Sequence, residues 1–249
     1  MIKYSLSKLV SLIVLLVASS CKNPTQTKSS ADNPTDTAKQ FSDTTISADI
    51  YGPLDSTIHF ADSTIVNGEV FKAFHLNNGM FLIRDQYDHL IYSSTDIGHE
   101  FRFEDFNKDG YADILATSID YNSGSEDLLL YDSAHNNFKQ VEGFRRHSFV
   151  ERIGNTKYMS SYGSAGCAGK NWYSDLFYID HFKAITIGSI SGAECEYDPE
   201  QHGVFIYKVS GDSSMLRSKL PVTAISHHAG GKMGYIHQYW KNNYMKFIP

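Results

Sequence analysis

The segment from residue 103 to residue 115 reads FEDFNKDGYADIL, and it places short oxygen-bearing side chains at every second position before a glycine. A Ca²⁺ ion takes six or more oxygen ligands, and such a run brings them to one point once a glycine lets the chain turn sharply. Gly110 stands where that turn is needed. The predicted ligands are the side chains of Asp105, Asn107, Asp109 and Asp113, and the backbone carbonyl of Tyr111. The alternative interpretation is a plain turn rich in Asp, Asn and Gly, with no bound ion.

The residues on either side of this loop predict strands rather than the helices of an EF-hand. Aromatic and polar residues alternate over 101–103, and an apolar run begins at 114–115. Ala116 occupies the place of the bidentate glutamate that ends an EF-hand loop. The loop therefore resembles the DxNxDGxxD segment of FG-GAP and VCBS repeats, which occur in β-propellers where calcium bridges adjacent strands. The sequence has no second clear copy, since residues 85–88 lack the glycine and residues 132–137 lack the carboxylates.

Beyond residue 50 the chain consists of short apolar or alternating runs broken by turn residues, which is typical of antiparallel β-structure. Asn67-Gly68 between two such runs predicts a tight hairpin. Further strands are predicted at residues 80–83, 90–92, 101–103, 114–118, 128–131, 176–179, 184–190 and 204–209, with a closing hairpin of 236–240 and 244–247. Helical periodicity is not sustained for three turns anywhere. We therefore predict an all-β chain with little helix, folded as one β-propeller-like or sandwich-like domain with irregular blades.

The first residues of the chain predict export. Lys3 and Lys8 precede an apolar run that is too short to span a bilayer comfortably, and the run ends in small residues before Cys21. This order resembles the lipobox of bacterial lipoproteins, which implies an acylated Cys21 and an anchor in the outer membrane, facing the periplasm or the cell surface. A simple secretory peptide is the alternative. The predicted organisation is a signal peptide at 1–20, a polar flexible tether at 21–48 and a β-rich domain at 49–249.

Composition and motifs exclude several functional classes. The formal net charge of -6 argues against a nucleic-acid-binding surface, which has to be basic. None of the three cysteines forms a CxxC pair of the kind that holds zinc. The sequence contains no GxSxG, HExxH, Walker or GxGxxG motif. We therefore expect no enzymatic activity, and a hydrolase with dispersed catalytic residues stays open as an alternative.

A small-residue loop, SSYGSAGCAG at residues 160–169, predicts a binding surface, because loops of this kind carry binding residues more often than core residues. The candidate partner-binding residues are Tyr162, Gly163, Ser164, Gly166 and Trp172. A strand connection without a partner is the alternative. With Cys21 assigned to lipid, Cys167 and Cys195 form an even pair, and we predict a disulfide between them in an oxidising compartment. Two free thiols are the alternative.

The single calcium-type loop follows a lipoprotein leader and precedes a strand at 128–132 and the pair Asn137-Phe138. This arrangement resembles the periplasmic calcium-binding lipoproteins that inhibit lysozymes as immunity proteins. The resemblance covers about residues 100–190, and its specific part is the loop. It implies a propeller-like β fold, a structural Ca²⁺ ion, and a second loop that enters the active-site cleft of a muramidase. The alternative is an FG-GAP-like surface adhesion or scaffold module that binds glycans or proteins.

Overall fold

The structure is a computed structural model that describes residues 57–118, 125–196, 198–226 and 228–249. Three antiparallel β-sheets contain about half of these residues. The predicted signal peptide, the lipidated Cys21, the tether and the start of the domain lie outside the described residues. Within the described ranges, no helix is long and apolar enough to cross a membrane.

The first sheet is a four-stranded meander in which each strand pairs with the next along the chain. Its strands are β1 (Ile58–Val66), β2 (Glu69–Leu76), β3 (Phe81–Arg84) and β4 (Leu90–Ser94). The β1–β2 hairpin turns at Asn67 and Gly68, whose φ angles of 51° and 83° are those of a type I′ turn. The hairpin predicted at this point is confirmed.

The second sheet is also a four-stranded meander, and both of its faces are covered. Its strands are β5 (Glu100–Glu104), β6 (Asp113–Ser118), β7 (Ser125–Asp132) and β8 (Asn137–Gln140). Leu129 and Tyr131 pack against the first sheet, whereas Leu128 and Leu130 pack toward the third. Side chains of successive residues in a strand point to opposite faces of the sheet. Because both faces are covered, residues of β7 are buried in an unbroken run rather than alternately.

The third sheet has seven strands in the order β15-β14-β13-β12-β10-β9, and β11 pairs with β12 beside β10. Its strands are β9 (Glu151–Arg152), β10 (Tyr158–Ser160), β11 (Gly163–Ser164), β12 (Trp172–Asp180), β13 (Lys183–Ala193), β14 (Gly203–Ser210) and β15 (Ser213–Leu220). Sheets thus stack in layers with apolar cores between them. The all-β, sandwich-like prediction is confirmed.

The end of the chain is helical, so the predicted closing hairpin is wrong. A single turn, α1 (Thr223–Ser226), precedes a longer helix, α2 (Gly231–Asn243), which continues into a 3₁₀ turn at Tyr244–Lys246. The inward side chains of α2 repeat at helical spacing: Lys232, Tyr235, Ile236, Tyr239 and Trp240. This stripe covers the outer face of the third sheet. The indole Nε1 of Trp240 donates a 2.8 Å hydrogen bond to the Ser174 hydroxyl beneath the helix.

Candidate functional site

The predicted calcium loop connects β5 to β6. The strand pair next to the loop is Glu104 of β5 and Asp113 of β6. Strands therefore flank the loop on both sides, as the sequence indicated. The position that ends an EF-hand loop, Ala116, is buried in β6. Gly110 turns the loop with a φ of 94°, a conformation that residues with a Cβ rarely adopt.

A network of hydrogen bonds within the loop orients its oxygens. The backbone N–H of Asp109 donates to Asp105 Oδ1 and to Asn107 Oδ1, both at 3.0 Å. Gly110 N–H donates to Asp105 Oδ2 at 3.1 Å, and Tyr111 N–H donates to Asp109 Oδ1 at 2.9 Å. Backbone donors thus fix the side chains at loop positions one, three and five, while the Asp105 and Asp109 side chains stay exposed.

Asp113 closes the base of the loop from inside the protein, where it is fully buried. Its Oδ2 accepts from the N–H groups of Phe106 and Asn107 at 3.0 and 3.3 Å, and its Oδ1 accepts from Tyr131 N–H on β7 at 2.9 Å. Burial raises the pKa of Asp113 to about 7, while the three N–H donors act in the opposite direction. A cation in the loop would favour the charged carboxylate.

The donor set fits a hard cation by its count of lone pairs. A carboxylate offers about four acceptor sites and an amide oxygen two. Counting the hydrogen bonds within the described residues, Asp105 and Asp109 each keep two sites, while Asn107 and Asp113 each keep one. The carbonyl of Tyr111 adds a further oxygen. Across the described ranges, no three His, Cys, Asp or Glu side chains are already gathered for a metal. Two of the loop's carboxylates lie at the exposed rim and the third lies beneath it.

Two contacts tie the loop to the rest of the protein. The guanidinium of Arg152 donates to the carbonyl of Phe106 and, at 2.9 Å, to the carbonyl of Thr156. The Phe106 ring meets the buried Phe144 ring edge-on, with 5.4 Å between centroids. The loop is therefore attached both to the β9–β10 hairpin and to the core between the second and third sheets.

Strand pairing, a disulfide and hydrogen bonds attach the small-residue loop to neighbouring elements. Gly163 and Ser164 form β11, and Cys167 is disulfide-bonded to Cys195, which confirms the predicted pairing. Asn171 Oδ1 accepts from the N–H groups of Glu194 and Cys195 at 3.0 and 3.2 Å. From α2, the Lys232 ammonium donates to the carbonyl of Gly169 at 2.6 Å. The β11 pairing fixes the middle of the loop, and the disulfide, Asn171 and Lys232 fix its C-terminal end.

The five predicted partner-binding residues do not share one surface. Ser164 and Gly166 are exposed and Tyr162 is half-buried, whereas Gly163 is buried. Trp172 is only 1% exposed and packs in the core beneath α2, so its side chain is not available to a partner. The aromatic residue that the sequence placed at the end of the loop is a core residue.

A buried Ser–His–Asp cluster lies elsewhere, and no local motif marks it because its residues are 14 or more positions apart in pairs. His147 Nδ1 lies 3.5 Å from both Ser161 Oγ and Asp175 Oδ2, while Arg146 Nε donates to His147 Nε2 at 3.3 Å. A catalytic triad needs the serine and the aspartate on opposite ring nitrogens, so this cluster lacks the geometry. Burial first, and then the charge of Arg146, lower the pKa of His147 to about 3. A cavity of about 520 Å³ beside the cluster is lined by Arg146, Asp175 and Ser189.

Comparisons with known proteins complete the description of the site. No family model matches the chain, and no curated protein matches it. Among solved structures, a chain described as "Structure of a Xanthomonas Type IV Secretion System related protein" is similar, with 12% sequence identity and a TM-score of 0.44. The match covers 64% of this chain and 93% of that chain. A similarity of this size assigns no function.

Proposed function

We propose that this chain is an exported, lipid-anchored protein that binds one structural Ca²⁺ ion in its β5–β6 loop and acts by binding a protein partner. The observation that carries the proposal is the set of backbone N–H groups that holds the side-chain oxygens of Asp105, Asn107 and Asp109 within one turn. Export and the lipid on Cys21 rest on the leader sequence. The predicted role is binding rather than catalysis.

Calcium in this loop would stabilise the fold. Asp105, Asp109 and Asp113 place three carboxylates around one turn, and a divalent cation offsets their mutual repulsion. The ion would also join β5 and β6 to the Tyr131 backbone on β7 through Asp113. An ion that binds only the folded chain at a hundred times its Kd adds about 2.7 kcal/mol, which corresponds to a rise in Tm of roughly 5 to 10 °C for a domain of this size.

Thermal unfolding with Ca²⁺ and with a chelator tests this proposal. The wild-type protein is expected to melt about 5 to 10 °C higher with saturating Ca²⁺. Asp109→Ala is expected to lower the Tm and to abolish the calcium-dependent rise. Asp212→Ala is the matched control, because Asp212 is also an exposed aspartate in a turn between strands and, like Asp109, does not have a positive φ. A wild-type Tm that is equal in Ca²⁺ and chelator refutes the structural ion.

For the partner, we propose a muramidase whose cleft receives the small-residue loop. The support is the pre-organisation of this loop by the disulfide, by Asn171 and by Lys232, since an ordered loop loses less entropy on binding. Inhibition of a panel of muramidases on peptidoglycan suspensions is the assay. Ser164→Arg on the exposed loop is expected to weaken inhibition at least tenfold, whereas Ser214→Arg on exposed β15 is expected to leave it unchanged. Absence of binding and inhibition across the panel refutes this role.

A second candidate is a glycan-binding adhesion module, which the exposed Phe149 ring beside the half-buried Tyr162 ring favours. Phe149 is 62% exposed, has a φ of 49°, and lies 6.4 Å from the Tyr162 ring between centroids. Lys232 lies 5.3 Å from the centroid of Tyr162. Exposed aromatic faces offer an apolar surface for the apolar faces of sugar rings. Two results together select this function over the first. The wild type binds a glycan but inhibits no muramidase, and Phe149→Ala abolishes the glycan binding.

A further inference from the structure

A buried histidine lies between the first and second sheets. His75, near the end of β2, is 2% exposed. In the described part of the chain, neither of its ring nitrogens has a hydrogen-bond partner. Buried polar groups in folded proteins are almost always paired, so both nitrogens need an explanation.

Two further histidines surround this ring. The His99 ring lies 5.0 Å from that of His75 between centroids, at an interplanar angle of 61°. The His59 ring lies 6.0 Å away at 75°. His59 is the extra residue of a bulge in β1 opposite the end of β2, and His99 directly precedes β5. Three separate segments thus bring imidazoles together around one buried ring.

The 5.0 Å separation of the His75 and His99 rings matches that of imidazoles that share a metal ion, whereas the 6.0 Å separation of the His59 and His75 rings is longer. A zinc–nitrogen bond of about 2.0 to 2.1 Å and a tetrahedral angle place the centroids of two ligating rings about 5 Å apart. Across the described ranges no three ligating side chains already converge on one point, so the rings have to turn to bind. Those of His59 and His99 are exposed and have room to do so.

The ligand chemistry of the cluster also suits a metal, because imidazole nitrogens ligate Zn²⁺, Cu²⁺ and Ni²⁺. The hard, oxygen-bearing calcium loop is chemically distinct from this all-nitrogen cluster.

We propose that His75 and His99, with His59 as a third ligand, bind one divalent transition-metal ion, of which Zn²⁺ is the representative. The ion gives buried His75 the partner that it lacks among the described residues, and it links β1 and β2 to the segment that enters β5. The remaining coordination position faces solvent beside the two exposed rings and is filled by water. This site does not depend on the calcium loop or on a muramidase partner.

Titration calorimetry with ZnCl₂ on the chelator-treated, dialysed protein tests the proposal, with saturating Ca²⁺ present so that the β5–β6 loop does not contribute. The wild type is expected to bind one Zn²⁺ at this site. His99→Ala is expected to weaken binding at least tenfold, and His59→Ala is expected to weaken it to a smaller extent. Co²⁺ is expected to give the visible absorption of a tetrahedral site in the wild type, and the two variants are expected to lose it.

The matched control is His181→Ala, because His181 is 93% exposed and forms a surface pair with Asp180 of the kind that captures zinc adventitiously. This variant is expected to keep the wild-type affinity and the Co²⁺ spectrum. Both His59 and His99 are exposed, and their variants are expected to melt like the wild type in chelator. Equal Zn²⁺ affinity in the wild type, His59→Ala and His99→Ala overturns the proposal, as does an equal loss in His181→Ala.

Discussion

Replacing Arg145 with alanine is expected to destabilise the protein strongly, because it leaves a buried carboxylate without its cation. Arg145 donates from Nε and Nη2 to the two oxygens of Asp127 at 3.0 and 2.7 Å, and from Nη1 to Asp96 at 2.7 Å. Asp127 on β7 is 2% exposed. The contact therefore ties the loop after β4 to the middle of the second sheet.

The magnitude follows from this burial. Removing one partner of a fully buried ion pair costs about 3 to 5 kcal/mol. The side chain of Arg145 is 39% exposed, so solvent screens part of its interaction, and we expect a loss of about 2 to 4 kcal/mol in the free energy of unfolding. Asp96 is largely exposed and contributes little to this figure.

Urea unfolding at pH 7 measures the effect, provided that the free energy of unfolding falls with urea concentration at the same slope in the variant and the wild type. Arg102→Ala is the matched control: Arg102 pairs with Glu104 at 3.0 Å, but both side chains are exposed, so we expect a loss below about 1 kcal/mol. Combining Arg145→Ala with Asp127→Asn is expected to cost less than the sum of the two single changes. A loss for Arg145→Ala no larger than that for Arg102→Ala would refute the reasoning.

Three further changes test other parts of the fold. Replacing Cys167 and Cys195 with serine is expected to lower stability by about 3 to 4 kcal/mol in urea unfolding, because the bond closes a long loop; an equal midpoint under reducing and oxidising conditions would contradict this. His147 stays neutral when folded while the unfolded chain binds a proton below pH 6.5, so stability is expected to fall by about 2 kcal/mol between pH 6.5 and 5. His147→Gln is expected to reduce this slope, and an unchanged slope would argue against it. Gly192→Ala places a methyl group against the buried Trp172 indole and is expected to lower the free energy of unfolding by about 1 to 3 kcal/mol, measured by calorimetry. A Tm equal to that of the wild type would contradict this expectation.

Local patterns predicted most of the sheets, because hairpins depend on neighbouring residues. Asn67-Gly68 dictates its own turn, and the strands that flank the predicted calcium loop carry alternating or apolar runs. The sequence does not predict the edge strand β15, because nearly all of its residues are exposed and no apolar pattern marks it. The sequence predicts a hairpin in place of helix α2, because the aromatic residues there also suit a strand although they recur at helical spacing.

The candidate sites show the same division between local and distant contacts. The spacing of Asp105, Asn107 and Asp109 is visible in the sequence because one turn holds all three. That Asp113 is buried depends on Tyr131, which lies 18 residues away on another strand. The cluster around His75 joins three segments, and its members become neighbours only when the first and second sheets pack together.

Calorimetric titration of Ca²⁺ into the chelator-treated protein measures most directly whether the β5–β6 loop binds an ion. We predict one Ca²⁺ per chain for the wild type, and at least a tenfold weaker affinity for Asp105→Asn, which keeps the size of the side chain but removes a charge. The exposed Asp88→Asn is expected to bind Ca²⁺ as the wild type does. Absence of Ca²⁺ binding by the wild type, or an equal affinity in Asp105→Asn, would contradict a calcium site in this loop.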